Sequence, residues 1–370
     1  MAFVRRGGSL RATARRFRCT ASTVWFWVRR ARGQRLDRVN WADRPSGAAQ
    51  PANRTARGLE RRIVALRRWL RLHDPLGYVG PEAIRGRLLA QGGGAPSART
   101  IARILRRRGV LPQKRQRHPP PPAGWYLPSV AAGRAELDQL DVVEGLQLRR
   151  QGPVEVLNAI SLWGKLALAE PATTGWRVET ITAVLRAHWQ QWGRPGYLQM
   201  DNDTRFAGST RAVRRLGRLI RFCLAEGVVP VFAPPRETGF QAAIESFNGL
   251  WQAKVWQRFR HRHLRQLRSR NQAFLAAHRA RHAREAVPRL LTPSAAANQI
   301  VFLRRTDARG RIWLLGAQVT IAPHWPHRLV RATLNVSTQS LHCHALRRRE
   351  PKHQPLLKAG RFSLLLPATF

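Results

Sequence analysis

Acidic residues are scarce in this chain: 20 Asp and Glu stand against 66 Lys and Arg over 370 residues, a formal net charge of +46. That excess is far beyond what solubility requires and implies a polyanionic partner. Lysine is scarce as well. All but five of the basic residues are Arg, the better fork for phosphate oxygens. Nucleic acid is therefore the leading partner, and an anionic membrane surface the weaker one. A bias toward Ala, Gly, Pro and Arg in the coding DNA does not explain the missing acids. The three cysteines, Cys19, Cys223 and Cys343, have no paired spacing, which excludes a disulfide framework or a zinc knuckle. No apolar run approaches membrane-spanning length, and no apolar signal segment follows the basic N-terminus. The expectation is a soluble, cytoplasmic, nucleoid-associated protein that does not enter a membrane. With 44% hydrophobic residues the chain can bury real cores, so wholesale disorder is excluded.

Residues 1–40 hold eleven Arg and a single acid, Asp37. Ser9 can cap a short helix with Leu10, Ala14 and Phe17 at helical spacing. A turn follows at Arg18–Thr20, and Ser22 opens a second helix with Val24, Trp27, Val28 and Ala31 on one face. Short helix, tight turn and basic second helix form the helix-turn-helix pattern. It offers Ser22, Thr23, Trp25 and Arg29 to a DNA groove, although only Ala2 to Arg6 remain for a preceding helix. Residues 41–57 read as a linker. A second helix-turn-helix-like unit spans 58–112. Its stripes are Leu59, Ile63, Leu66 and Leu70, then Ile84, Leu88 and Leu89, then Ile101, Ile104 and Leu105 behind a Ser97 cap. Arg99 and Arg103 are its DNA-facing candidates. The Pro-rich stretch 113–131 reads as a stiff linker.

From 132 to 298 the pattern becomes α/β. Strands are predicted at 137–143, 154–160, 166–169, up to Asp201, and at 228–232. Helices are predicted from Ile181 to Trp189, around 210–224, from about Gln241 to Phe259, and over 260–285. This order implies a mixed sheet packed by helices. Short strand-like runs over 299–350 predict a separate small β-barrel, followed by a tail at 351–370. The fold class is multidomain: N-terminal all-α units, a central α/β domain and a C-terminal barrel.

The stretch Tyr197–Asp203, YLQMDND, ends a short apolar run in carboxylates. Alone it reads as an Asp-Asn turn closing a strand. An α/β sheet also presents functional acids at the C-terminal ends of its strands. Asp141 lies in the first strand, Asp201 ends the fourth, and Glu245 lies on the helix after the fifth. On that helix Ile244, Phe247, Trp251 and Val255 can face the core, leaving Glu245, Asn248 and Gln252 on the adjacent polar face. Three converging carboxylates repel one another unless a cation offsets them, and hard oxygen donors select Mg²⁺ or Mn²⁺.

The segments QLDVVEG at 139–145, LNAI at 157–160, LALAEP at 166–171, YLQMDN at 197–202, VVPVFAPPRE at 228–237 and IESFNGLWQ at 244–252 carry a resemblance. Together with both helical units they resemble bacterial insertion-sequence transposases with a retroviral-integrase-type core. The resemblance implies a ribonuclease-H-like fold and a D-D-E triad of Asp141, Asp201 and Glu245. The triad would hold two Mg²⁺ or Mn²⁺ ions for phosphodiester hydrolysis and strand transfer on double-stranded DNA, by a homo-oligomer. Asn202 and Asn248 would position substrate or the acids. The chain departs from the family pattern in three ways. Forty-three residues separate Asp201 from Glu245, Gln241-Ala242 stand where the family usually has Asn-Gly, and Ser161 replaces a common Asp. Asp138 and Asp203 are the rivals to Asp141 and Asp201.

Overall fold

The computed structural model describes residues 1–42, 55–111, 123–208, 213–282 and 297–365. Two compact units emerge, Met1–Glu60 and Arg61–Phe370. Most of the predicted linker 41–57 and of Pro119–Pro122 lies outside the described residues, as does the end of the basic helix predicted over 260–285.

The first unit holds α1 (Ala2–Arg5), α2 (Leu10–Arg16) and α3 (Ala21–Arg30). Ser9 caps α2 by accepting from the Ala12 amide. Helix α3 opens at Ala21, one residue before Ser22, because the Thr20 hydroxyl accepts from the Thr23 amide and serves as its cap. Phe17, expected on the packed face of α2, is its C-cap and is exposed.

The second unit takes in most of α4 (Arg57–His73), then α5 (Pro81–Ala90) and α6 (Ala98–Arg107). Ile63, Ile84, Leu88, Ile101, Ile104 and Leu105 are buried among them, and Ser97 caps α6. The chain then enters the sheet region earlier than expected. Trp125, Tyr126, Leu127 and Val130, the last on α7 (Pro128–Ala131), are buried in the core. The predicted linker therefore ends before 123: these side chains are too apolar to remain in a spacer.

The remaining elements are β1 (Leu137–Leu148), β2 (Gly152–Ser161), β3 (Ala167–Ala172), α8 (Val178–Trp192), β4 (Tyr197–Met200), α9 (Thr204–Ala207), α10 (Arg218–Ala225), β5 (Val229–Phe232), α11 (Ala242–Trp251), a π-helical turn (Gln252–Trp256), α12 (Leu264–His282), β6 (Gln299–Arg305), β7 (Arg311–Leu314), β8 (Ala317–Thr320), β9 (Leu329–Asn335), β10 (Ser340–Ala345) and β11 (Leu356–Arg361). Strands β1, β2 and β3 pair antiparallel, whereas β1, β4, β5 and β6 run parallel. A large mixed sheet packed by helices is consistent with the ribonuclease-H-like core that the resemblance implies.

The separate C-terminal barrel is not there. Nine strands form one sheet in the order β11-β10-β9-β6-β5-β4-β1-β2-β3, with β7-β8 as a detached hairpin. A barrel has no edge strand, yet β11 pairs only with β10. The physical cause is β6, whose Ile300, Val301, Phe302 and Leu303 are all buried. A strand covered on both faces belongs inside a sheet, and each such side chain contributes on the order of 1.5–3 kcal/mol. The expected tail is not all tail either, because Leu356–Arg361 supplies the edge strand.

Candidate active site

Strands β1 and β4 pair in parallel with Leu137 against Tyr197, Asp138 against Leu198 and Gln139 against Gln199. Two residues further along this register, Asp141 comes level with Asp201. Side chains two apart share a face, so both acids follow the Gln139 and Gln199 side chains, which bond to each other at 2.7 Å. The sheet thus brings Asp141 and Asp201 together. Asp138 lies on the opposite face and is 3% exposed, so of the two it is Asp141 that shares a face with Asp201. Asp203 caps α9 by accepting from the Arg205 amide.

Helix α11 is moored beside the acids by a buried polar network. The Gln139 amide donates to the Phe240 carbonyl at 2.8 Å and its Oε1 accepts from the Ile244 amide at 3.0 Å. The Tyr126 hydroxyl donates to Gln199 and is also within bonding distance of the Phe240 carbonyl. One turn on, the Asn248 amide donates to Asp141 at 2.7 Å and its oxygen accepts from Asn158 on β2 at 2.8 Å. Asn248 is therefore placed to orient Asp141.

Glu245 is the acid that does not join. It is exposed, and among the described residues no three His, Cys, Asp or Glu side chains gather in a metal-holding group. Its backbone is in the right place, next to Ile244 and three residues before Asn248, on the same face. Two negative charges already meet at Asp141 and Asp201, and repulsion favours a third in solvent. Asn202 also points elsewhere: it donates to the Ala233 carbonyl and accepts from Arg304 at 2.8 Å.

Burial raises the pKa of Asp141, and the charge of Asp201 adds to it, while the Val142 amide, Asn248 and Arg205 oppose. Burial likewise raises Asp201, with Asp203 and Glu144 adding to it and the Asp203 amide and Arg205 opposing. Arg205 was missed in the sequence. Its guanidinium meets Glu144 at 2.6 Å, Asp203 at 2.9 Å and Glu155 at 3.6 Å. One Arg among five acids is the inverse of this chain's composition, and an Arg two residues after DND was the available signal. Asp141 and Asp201 are hard oxygen donors of the kind a divalent cation takes, and burial raises the pKa of each; Glu245 is the third carboxylate nearby in the fold order but does not face them.

On the helical units, Ser22, Thr23, Trp25 and Arg29 are exposed on α3, with the Arg29 guanidinium 5.2 Å from the Trp25 ring centroid. Arg99 and Arg103 are exposed on α6. Among the described residues, no helix is long and apolar enough to cross a membrane.

No protein-family model and no curated protein matches the chain. Solved structures are similar to it, two of them as follows. One is a simian T-cell lymphotropic virus intasome in complex with PP2A regulatory subunit B56 gamma, at 11% identity, 76% of this chain and 96% of that one, TM-score 0.33. The other is the HTLV-2 integrase catalytic core domain in complex with magnesium, at 15% identity, 38% of this chain and 82% of that one, TM-score 0.26. At these scores neither adds to the site assignment.

Proposed function

We propose that the chain is a DNA transposase or integrase that hydrolyses a phosphodiester and joins the freed 3′-hydroxyl to target DNA. The observation that carries this reading is the Asp141–Asp201 pair, level on adjacent parallel strands and braced by Asn248, inside a chain of net charge +46. Asp141 and Asp201, joined by Glu245 after a side-chain rotation, would hold two Mg²⁺ or Mn²⁺ ions. Such ions activate an oxygen nucleophile and stabilise the leaving oxygen of an in-line displacement. Asn248 holds Asp141 in one orientation, and Arg205 limits the mutual repulsion of the acids. The exposed Arg of α3 and α6 track phosphates of double-stranded DNA. Joining two element ends requires a homo-oligomer.

The test is strand transfer with Mg²⁺ on duplex oligonucleotides that carry the sequences flanking the gene. Wild type is expected to produce joined products, and Asp201→Asn to lose them by about 10³-fold or more while still binding DNA. A second reading, a DNA-binding descendant that no longer cuts, is favoured by the exposed Glu245. Binding without cutting or joining by wild type would establish it.

A further inference from the structure

A cavity of about 400 Å³ lies beside Asp201, lined by Asn202, Arg215, Phe232, Phe302, Arg304 and Trp313, among others. None of its lining residues is acidic. Arg304 is held there by four hydrogen bonds, all to neutral oxygens: the carbonyls of Trp313, Ala233 and Leu303, and Asn202 Oδ1. Its neighbours do find acids, since Arg305 pairs with Glu237 and Arg311 with Asp307. Arg304 has no carboxylate partner among the described residues, and burial lowers its pKa to about 10. Half-buried and bonded only to neutral oxygens, it keeps its charge free for an anion in the cavity it lines. Arg215, exposed on the wall, makes no ion pair among the described residues either.

The cavity also has an aromatic side. Phe232 and Phe302 stack at 5.3 Å between centroids, and both are buried. Trp313 is 61% exposed, because it faces away from Ile312 and Leu314, which turn into the core on β7. The hairpin that carries it is pinned to the wall by the Arg214 amide, which donates to the Leu315 carbonyl at 2.7 Å. The wall itself depends on two glycines: a Cβ on Gly208, at φ +89°, would lie 3.0 Å from the Gly217 Cα. Two guanidinium groups and an exposed indole suit a phosphate joined to a planar ring. The volume falls within the range of small-ligand pockets, about 300–1,000 Å³, and a duplex cannot enter it.

We propose that this cavity is a binding site for one unpaired nucleotide of a DNA strand, with Arg215 and Arg304 on its phosphate and Trp313 on its base. The DNA strand is chosen over a free nucleotide because Arg304 donates to Asn202, the residue that follows Asp201. The assignment rests on the reading that the chain acts on DNA, but not on its being an active enzyme.

Binding is measured with EDTA present, so that no cutting intervenes, on a short blunt duplex and on the same duplex with a few unpaired nucleotides at either end. The full-length wild type is expected to prefer one overhang by about tenfold, the scale of one base–aromatic stack. Trp313→Ala is expected to remove that preference and leave blunt binding unchanged, and Trp313→Phe to keep it. Arg215→Ala is expected to reduce the preference and to lower the overhang salt slope by about 0.7–0.9. Arg262→Ala, an exposed Arg away from the cavity, should weaken both DNAs alike. Equal binding of blunt and overhang DNA, a preference that survives Trp313→Ala, or a free mononucleotide that binds as well as the overhang would each overturn the site. Failure to bind either DNA would overturn the DNA-acting reading and the site with it.

Discussion

The carboxyls of Asp141 and Asp201 are harder to ionise in the folded chain than in water, chiefly because they are buried. A carboxyl with a raised folded pKa binds its proton more tightly when folded than when unfolded. Native stability therefore carries the full penalty above the folded value, and sheds it as pH falls toward the unfolded value of about 4. Asp141→Asn and Asp201→Asn should each raise Tm at neutral pH by about 1–3 °C in EDTA, the usual sign when a functional charge is removed. The gain should shrink on acidification. Mg²⁺ should raise the Tm of wild type, by ligand linkage, and leave Asp201→Asn unmoved. Asp203 has the opposite sign. The Arg205 side chain holds its pKa down, so its contribution is present above pH about 4 and is lost as pH falls through the lower folded value. Asp203→Asn should lower Tm at neutral pH. Melting curves across pH, with and without Mg²⁺, check all of these. Identical behaviour of the Asp201 and Asp203 variants would sink the distinction between them.

At the scale of elements, α11 decides whether a third acid can reach the pair. The mooring depends on Gln139, which is 2% exposed and bonded to Gln199, the Phe240 carbonyl and the Ile244 amide. Gln139→Leu leaves the buried Ile244 amide without its partner and leaves Gln199 and the Phe240 carbonyl to share the one Tyr126 hydroxyl, at about 1–3 kcal/mol for each unpaired group. A loss of about 2–4 kcal/mol in urea unfolding is expected, visible as a lower midpoint at unchanged m-value. Tyr126→Phe should cost about 1 kcal/mol by the same logic. Both variants should lose strand transfer more steeply than DNA binding. Here the limits of the sequence are physical. That Asp141 and Asp201 would lie on neighbouring strands was legible from element order, with Asp201 closing the run Tyr197–Met200 and Asp141 flanked by Leu140 and Val142. The polar face of α11 was legible from helical spacing, and Asn248 lands where that face predicts. Glu245 was legible as a position but not as a contact, because its exposed side chain is set by local charge rather than by packing. Arg205 and Arg304 were hard to single out for a related reason: among so many Arg, only the place of Arg205 two residues after DND set one of them apart, and nothing marked Arg304.

At the scale of the whole molecule, two properties follow from charge and from the continuous sheet. With 66 basic residues, DNA affinity should fall steeply and linearly on a log–log plot against salt, each phosphate contact contributing about 0.9 to the slope. Arg29→Ala and Arg103→Ala should each reduce that slope by about one and weaken all sequences alike. The C-terminal strands were misread because β6 has no alternation to announce it. A run such as IVFL, covered on both faces, gives no period, and without it the runs that form β7 to β10 looked self-contained. Their place in the sheet has a consequence for folding. Val231 pairs with Val301 and Phe232 with Phe302, and one apolar cluster runs from Leu140 and Leu198 through Phe302 to Leu341 and Leu364. A detached barrel would open on its own, at a free energy below that of the α/β core. A shared sheet predicts instead that slow-exchanging amides of β9 and of β4 open with the same free energy under native conditions, and that both track added urea with the same slope. Truncation after Asn298 would strip β5 of one of its two parallel partners, β6, and expose Phe232, Leu198 and Leu140 to solvent, so the shortened chain should not fold. A native-like, cooperatively melting fragment ending at 298 would restore the barrel as an independent domain.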